Sequence, residues 1–247
     1  MERHLNRKKK QMKTDVESGD VGDRPLYPSM VENPNLRWSF IRKVYCILLS
    51  QLLLTIAVAF IVIFVRPIPH FFFSTINPGL ILFFLLFFLP IIMLLPLYYY
   101  HKKHPLNYFL LFLFTVTLAF PTGLICGFFS AKIVLESLIL TTVMVVSLTL
   151  YTFWAARRGH DFNFLMPFLL GALLILIVFG LIQIVYPLGK WSRTIYGGLG
   201  SIIFCGFIIY DTDNLIKRFS YDDFIWASVS LYLDTINLFL SLLNILR

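Results

Sequence analysis

The sequence predicts an all-α polytopic membrane protein, a bundle of seven transmembrane helices with the last helix at its centre. Hydrophobic residues make up 58% of the 247 positions, the mean hydropathy is +0.80, and only 14% of the residues are charged, compared with about 25% in an average soluble domain. Apolar runs of about 20 residues, the length that a helix needs to cross a bilayer, recur along most of the chain. The predicted spans are Val44–Val65, Pro78–Tyr100, Leu106–Phe128, Ile133–Ala155, Phe164–Tyr186, Thr194–Asp211 and Phe224–Leu246.

The edges of these spans support the assignment. All four tryptophans lie within a few residues of a proposed boundary, where an amphipathic indole prefers to lie. Every connection between the spans is short, which leaves no room for a soluble catalytic domain. We therefore expect no enzymatic activity, no enzymatic cofactor and no nucleic-acid partner.

Residues 1–37 differ in composition from the rest of the chain. They contain six acidic residues, a basic cluster at Lys8–Lys10 and three prolines, with few large apolar side chains. We expect a disordered cytosolic tail over residues 1–37 and a seven-helix membrane domain over residues 38–247. Ten of the 21 lysines and arginines lie between Met1 and Lys43, and because basic residues favour the cytosolic side, this bias predicts a cytosolic N-terminus.

Asp211 and Asp234 are the strongest functional signal in the sequence. Asp211 ends the sixth span, Asp234 lies within the seventh, and neither span contains a lysine or an arginine. A carboxylate at membrane depth is costly and is expected to face the bundle interior or a water-filled path. Because the turn between the spans reverses the chain, the two carboxyl groups are expected to approach each other, whereas Asp213 is expected to lie in water near the turn.

Two neighbouring carboxyl groups have constrained chemistry. Desolvation and a like-charged neighbour both disfavour the ionised form, so the pair would tend to share one proton. Loss of that proton leaves two like charges, which must separate, hydrate or bind a cation, and hard oxygen ligands favour Ca²⁺. Asp211 and Asp234 are thus predicted to form a pH-sensitive latch on a cation path and a transient Ca²⁺ site.

Polar side chains recur on one face of the seventh span. Ser230, Asp234, Asn237, Ser241 and Asn244 are spaced by 4, 3, 4 and 3 residues, which places them on one side of a helix. Ser230, Asn237 and Ser241 are candidates for an ion path, and the alternative is that these residues only hold helices together. The glycine-rich sixth span is expected to approach this helix closely.

Glu136 is a further candidate for the ion path. It lies near the start of the fourth span, where it could contribute to a vestibule for cations. It also follows Lys132 by one helical turn, so an ion pair between the two side chains explains it equally well.

The last two spans resemble the signature of the Bax-inhibitor/Lifeguard family. The resemblance is carried by FCGFIIYDTD, which contains Asp211, and by LYLDTINLFL, which contains Asp234. Further segments resemble the plant Lifeguard branch, so the resemblance covers nearly the whole chain. These segments are LYPSMVENPNLRWSFIRKVY, KHPLNYFLLFLFTVTLAF and SLTLYTFWAARRGHDFNFL.

The resemblance implies a multi-helix bundle that suppresses cell death and modulates Ca²⁺ leak from internal stores. It implies a location in the endoplasmic reticulum, the Golgi or another endomembrane, with the plasma membrane as a further option. The implied partners are membrane lipid, Ca²⁺, H⁺ and membrane proteins that regulate cell death. By similarity, Asp211 and Asp234 correspond to the family's proton-sharing pair. Some relatives carry a basic residue in the second span that exchanges with this pair, whereas Pro78–Tyr100 contains no lysine or arginine.

Other classes of membrane protein predict different behaviour. A non-conducting scaffold that regulates death or stress signalling through protein partners needs no pore, and the polar face would then only hold helices together. An intramembrane aspartyl protease fits less well, because Tyr210-Asp211 resembles its first acid motif but Asp234 follows Tyr-Leu instead of Gly-x-Gly. A seven-helix receptor is disfavoured by the predicted cytosolic N-terminus.

Overall fold

The computed structural model of the protein describes residues 25–64, 78–186 and 189–246. Helices dominate these ranges, and no strand occurs within them. A short 3₁₀ turn, Tyr221–Asp223, precedes the last helix. The helices are α1 Pro34–Phe64, α2 Pro78–Tyr100, α3 Leu106–Cys126, α4 Ala131–Arg157, α5 Leu165–Val185, α6 Lys190–Lys217 and α7 Phe224–Ile245.

Each predicted span corresponds to one of these helices. Six of the described helices, all except α2, are long and apolar enough to cross a bilayer. In α2 the stretch whose side chains are described, Leu85–Tyr100, is apolar but shorter than a full crossing. The prediction of an all-α, multi-pass membrane protein is therefore confirmed.

The first helix begins earlier than the sequence predicted. Pro34 occupies its first turn, where a missing N–H costs nothing, and Asn33 Oδ1 accepts a hydrogen bond from Asn35 N at 2.9 Å as an N-cap. Leu26 is buried in the main apolar core. The predicted boundary at residue 37 thus falls inside α1, and Leu26 and Arg37 before it are buried. The remainder of the predicted tail, residues 1–24, lies outside the described residues.

Helix α6 is longer than the predicted span Thr194–Asp211 at both ends. Its last turn contains Asp213 and Lys217, whose side chains form an ion pair at 2.5 Å across one helical turn. This pairing allows polar residues to continue the helix beyond the apolar run. Asp211 therefore lies within α6, not at its end.

Helix α7 packs against α1, α3, α4 and α6. Most of its side chains are buried, and Tyr232 is wholly enclosed, with its hydroxyl 2.6 Å from Thr55 Oγ1 of α1. By contrast, α4 and α5 expose many large apolar side chains, as expected for helices that face lipid. The central position of α7 in the membrane stays a prediction.

Candidate functional site

The fold brings Asp211 and Asp234 together at the contact between α6 and α7. The two helices run in opposite directions from the turn at residues 218–223, so these acids face each other across the helix contact. Asp234 is only 7% exposed, and its Oδ2 atom has no hydrogen-bond partner in the described part of the chain. An ionised carboxylate can only accept hydrogen bonds, so a hydrogen bond between the two acids would require a proton on one of them.

The acid pair lies on the wall of a cavity of about 390 Å³, which we call the aspartate cavity. It extends to the α6–α7 turn, where Phe219 and Trp226 contribute to its wall. Four of its lining residues carry a carboxyl, amide or aliphatic hydroxyl group: Asp211, Asp234, Asn214 and Ser230. The other lining residues are Met166, Phe207, Tyr210 and Leu233.

A second cavity of about 280 Å³ lies between α2, α3 and α7, and we call it the apolar cavity. Among the described residues that line it, only Asn237 and Thr122 have polar side chains. The other lining residues are Phe87, Pro90, Ile91, Leu94, Phe114, Leu118, Pro121, Ile125, Leu233, Ile236 and Leu240.

The other residues predicted for an ion path do not share one location. Ser230 lines the aspartate cavity and Asn237 lines the apolar cavity. Ser241 lines neither cavity and packs against α6. Glu136 forms the alternative ion pair with Lys132, at 3.8 Å on the exposed start of α4, and also lies outside both cavities.

Small residues of α6 explain the position of Ser241. A Cβ atom added to Gly200 would lie 2.6 Å from Ser241 Oγ, and one added to Gly197 would lie 2.7 Å from the Ser241 carbonyl oxygen. The expected close approach of the two helices is therefore present at these two glycines. Gly206 instead accommodates Leu169 of α5, 2.6 Å from its added Cβ atom.

The polar face of α7 is largely satisfied within its own helix. The Asn237 amide donates to the Leu233 carbonyl at 2.8 Å, the Ser241 hydroxyl donates to the Asn237 carbonyl at 2.8 Å, and the Asn244 amide donates to the Leu240 carbonyl at 3.0 Å. Such bonds satisfy these polar groups without a partner helix.

Asp213 is buried, so the expectation that it lies in water near the turn is wrong. Its side chain is fully buried and pairs with Lys217 at 2.5 Å and with Arg218 at 3.2 Å. Arg218 also binds Asp161 of the α4–α5 loop. The spacing of four residues between Asp213 and Lys217 is the sequence signal that could have revealed this cluster.

This charged cluster extends to the aspartate cavity. Arg218 Nη1 donates to Asn214 Oδ1 at 2.7 Å, and Asn214 lines the cavity together with Asp211. A series of polar contacts therefore runs from the α4–α5 loop to the cavity that contains the carboxyl pair. The cluster fixes the orientation of the last turns of α6, on which Asp211 and Asn214 lie.

The Asp161–Arg218 contact predicts a pH-dependent contribution to stability. The Arg218 hydrogen bond holds the pKa of Asp161 below its usual value, so the contact stabilises the fold fully above about pH 4 and loses this effect as the pH falls through the folded-state pKa. Because Asp161 is largely exposed, Asp161→Asn should cost less than about 1 kcal/mol at pH 7. Thermal unfolding in detergent should show that the difference in stability between the wild type and Asp161→Asn narrows as the pH is lowered toward about 3. A difference that stays constant with pH would contradict the assignment.

These features define a multi-pass helical membrane protein with a pair of facing carboxyl groups between its last two helices. The chain belongs to the family described as "Inhibitor of apoptosis-promoting Bax1", whose family model matches residues 37–247. The resemblance drawn from the two C-terminal segments is thereby confirmed.

Named relatives support the same assignment. The chain is 64% identical to "Protein LIFEGUARD 4" of Arabidopsis thaliana over 236 residues, which is 95% of each chain. It is 64% identical to "Protein LIFEGUARD 2" of the same plant, over 95% of this chain and 97% of the relative. It is also 37% identical to the "Golgi anti-apoptotic protein" of Vaccinia virus (strain Lister), over 86% of each chain.

Proposed function

We propose that this protein suppresses cell death from an endomembrane and modulates Ca²⁺ leak through a proton-sensitive latch formed by Asp211 and Asp234. Family membership and the name of the viral Golgi relative support the role in cell death and the endomembrane location. The basic N-terminal region supports a cytosolic N-terminus, which would place the aspartate cavity toward the cytosolic side.

The observation that carries the latch is the presence of two facing carboxyl groups on the wall of one cavity, with Asp234 Oδ2 left without a hydrogen-bond partner among the described residues. Loss of a proton shared by the pair would leave a repulsion of about 4 kcal/mol for unit charges 4 Å apart at an effective dielectric constant of about 20. Separation of α6 from α7, or entry of a cation, would relieve that repulsion. Two carboxylates with the nearby oxygens of Ser230 and Asn214 offer the hard ligands that Ca²⁺ prefers.

The α6–α7 contact favours movement at one end of the helix pair. The tight contact of Gly197 and Gly200 with Ser241 lies more than two helical turns from Asp211 along α6. Repulsion at Asp211 and Asp234 would therefore widen the end near the turn, while the glycine contact holds the other end. This geometry would couple proton loss to opening of the aspartate cavity.

Ca²⁺ efflux from liposomes tests the latch. The purified protein should produce a leak whose rate changes between about pH 5 and pH 8, because burial and a neighbouring carboxylate both disfavour the ionised form of an acid. Asp211→Asn and Asp234→Asn should each abolish this pH dependence, because a carboxyl group beside an amide has no second carboxylate to repel it.

Asp222→Asn is the matched control, since Asp222 is an exposed aspartate of the same α6–α7 region. It should leak with the pH dependence of the wild type. A pH-dependent leak that persists in both buried-acid variants would reject the latch. Absence of leak above empty liposomes at every pH would reject ion flux as the function.

A non-conducting scaffold is the second candidate function. It is favoured by the amide and hydroxyl groups of Asn237, Ser241 and Asn244, which bond within their own helix and need no ion. Its partners would be membrane proteins that regulate cell death. Full protection of cells by an Asp234→Asn protein that conducts no Ca²⁺ would favour this scaffold over the leak.

A further inference from the structure

We propose that Leu233 is the barrier that separates the aspartate cavity from the apolar cavity, so that its side chain closes a path along α7. Only the consequence of this inference for ion flux rests on the proposed leak function. The barrier itself is a property of the two cavities and can be tested without Ca²⁺.

The two cavities lie along one face of α7. Trp226, Ser230 and Leu233 line the aspartate cavity, and Leu233, Asn237 and Leu240 line the apolar cavity. Their spacing of 4, 3, 4 and 3 residues keeps them on one side of the helix. These five side chains are partly exposed, whereas most other positions of α7 are buried. Of the residues that the structure describes, Leu233 alone lines both cavities.

The chemistry changes across Leu233. The aspartate cavity offers two carboxyl groups, whereas the polar side chains of the apolar cavity are Asn237 and Thr122. A hydrated cation at the acid pair would have to pass the Leu233 side chain to reach Asn237. An apolar constriction of this kind excludes water and blocks ions even without a tight steric seal.

The position of Leu233 also couples the barrier to the acid pair. Leu233 is the neighbour of Asp234 in the chain, and its carbonyl accepts the Asn237 hydrogen bond. A displacement of α7 that separates Asp234 from Asp211 would move Leu233 with it. Opening the latch and clearing the constriction would then be one movement.

Cysteine labelling tests the barrier directly. Cys46, Cys126 and Cys205 are replaced by alanine, and Asn237→Cys is introduced into the full chain in vesicles selected for one orientation by an N-terminal tag. A membrane-impermeant cationic thiol reagent is added on the side of the N-terminus. The cysteine at position 237 should be labelled about tenfold faster when Leu233→Ala is also present than when Leu233 is kept. This ratio is equivalent to a barrier lower by about 1.4 kcal/mol.

Two matched variants isolate the role of position 233. Leu240→Ala removes the same side chain from the same face but lines only the apolar cavity, so it should leave labelling at 237 unchanged. Ser230→Cys lies on the aspartate side of the barrier and should react at the same rate whether leucine or alanine stands at position 233. If Leu233→Ala does not fold, Leu233→Val should label position 237 faster than the protein that keeps Leu233, by less than about tenfold.

Equal labelling at 237 with and without the Leu233 side chain, whether fast or slow, would overturn the barrier. Equal acceleration by Leu240→Ala would overturn its assignment to Leu233. In the liposome assay, Leu233→Ala should raise the Ca²⁺ leak and Leu240→Ala should not. If no variant leaks but labelling still depends on residue 233, the leak function is rejected while the barrier stands.

Discussion

Replacement of Arg37 by alanine is expected to lower the free energy of unfolding by about 2–3 kcal/mol, because hydrogen bonds of a buried charged group are stronger than neutral ones. Arg37 is only 2% exposed at the start of α1. Its guanidinium donates to the Phe219 carbonyl at 2.7 Å and to Glu32 Oε2 at 2.7 Å, and lies 4.8 Å from the centre of the Tyr221 ring. One side chain thus joins the segment before α1 to the α6–α7 turn.

Thermal unfolding in detergent, followed by tryptophan fluorescence, measures this effect. Arg42→Ala is the matched control, because Arg42 belongs to the same helix and is exposed. Arg37→Lys should be intermediate, since an ammonium retains the charge but lacks the planar fork that reaches both oxygens. If Arg37→Ala and Arg42→Ala unfold at the same temperature, the proposed role of Arg37 is wrong.

Gly197→Ala should destabilise the protein by about 1–3 kcal/mol, the range found when a packed contact is overfilled. The new Cβ atom would lie 2.7 Å from the backbone oxygen of Ser241, which cannot rotate away. Relief of this clash requires α6 and α7 to separate. The same substitution should therefore also alter the pH dependence of any leak, since Asp211 and Asp234 lie at the same helix contact.

The adjacent glycine supplies the control for this prediction. A Cβ atom at Gly198 would meet nothing within 4 Å, so Gly198→Ala should be neutral or stabilising by up to about 1 kcal/mol through helix propensity. Comparison of the two variants by thermal unfolding separates packing from propensity. Destabilisation of both variants to the same extent would contradict the close contact at Gly197.

The approach of Asp211 and Asp234 could be predicted from the sequence. Two carboxylates in apolar spans that are joined by a short turn are sufficient to predict their approach, because both spans must be antiparallel neighbours. Their surroundings were less predictable. Asp213 lies two residues after Asp211 and was expected in water, but Lys217, Arg218 and the α4–α5 loop enclose it. The loop contact joins residues more than 50 positions apart, which a local pattern does not encode.

The positions of the polar residues on α7 could also be predicted only in part. Helical spacing correctly grouped Ser230, Asn237 and Ser241 on one broad side, yet only the first two line a cavity. Ser241 contacts α6 because two glycines leave space for it. Leu233 lines both cavities although its apolar side chain gave no functional signal.

The sequence by itself determined that the chain is a multi-pass helical membrane protein, where in the chain its apolar helices lie, and that two acids lie in the last two of them. These properties depend on local composition and on the length of apolar runs, which the bilayer imposes on any chain. Only the tertiary structure decided which side of each helix faces a cavity and which faces a neighbouring helix. That choice depends on the rotation of each helix, and close contacts between residues distant in the chain, such as Gly200 with Ser241 and Arg37 with Phe219, set this rotation.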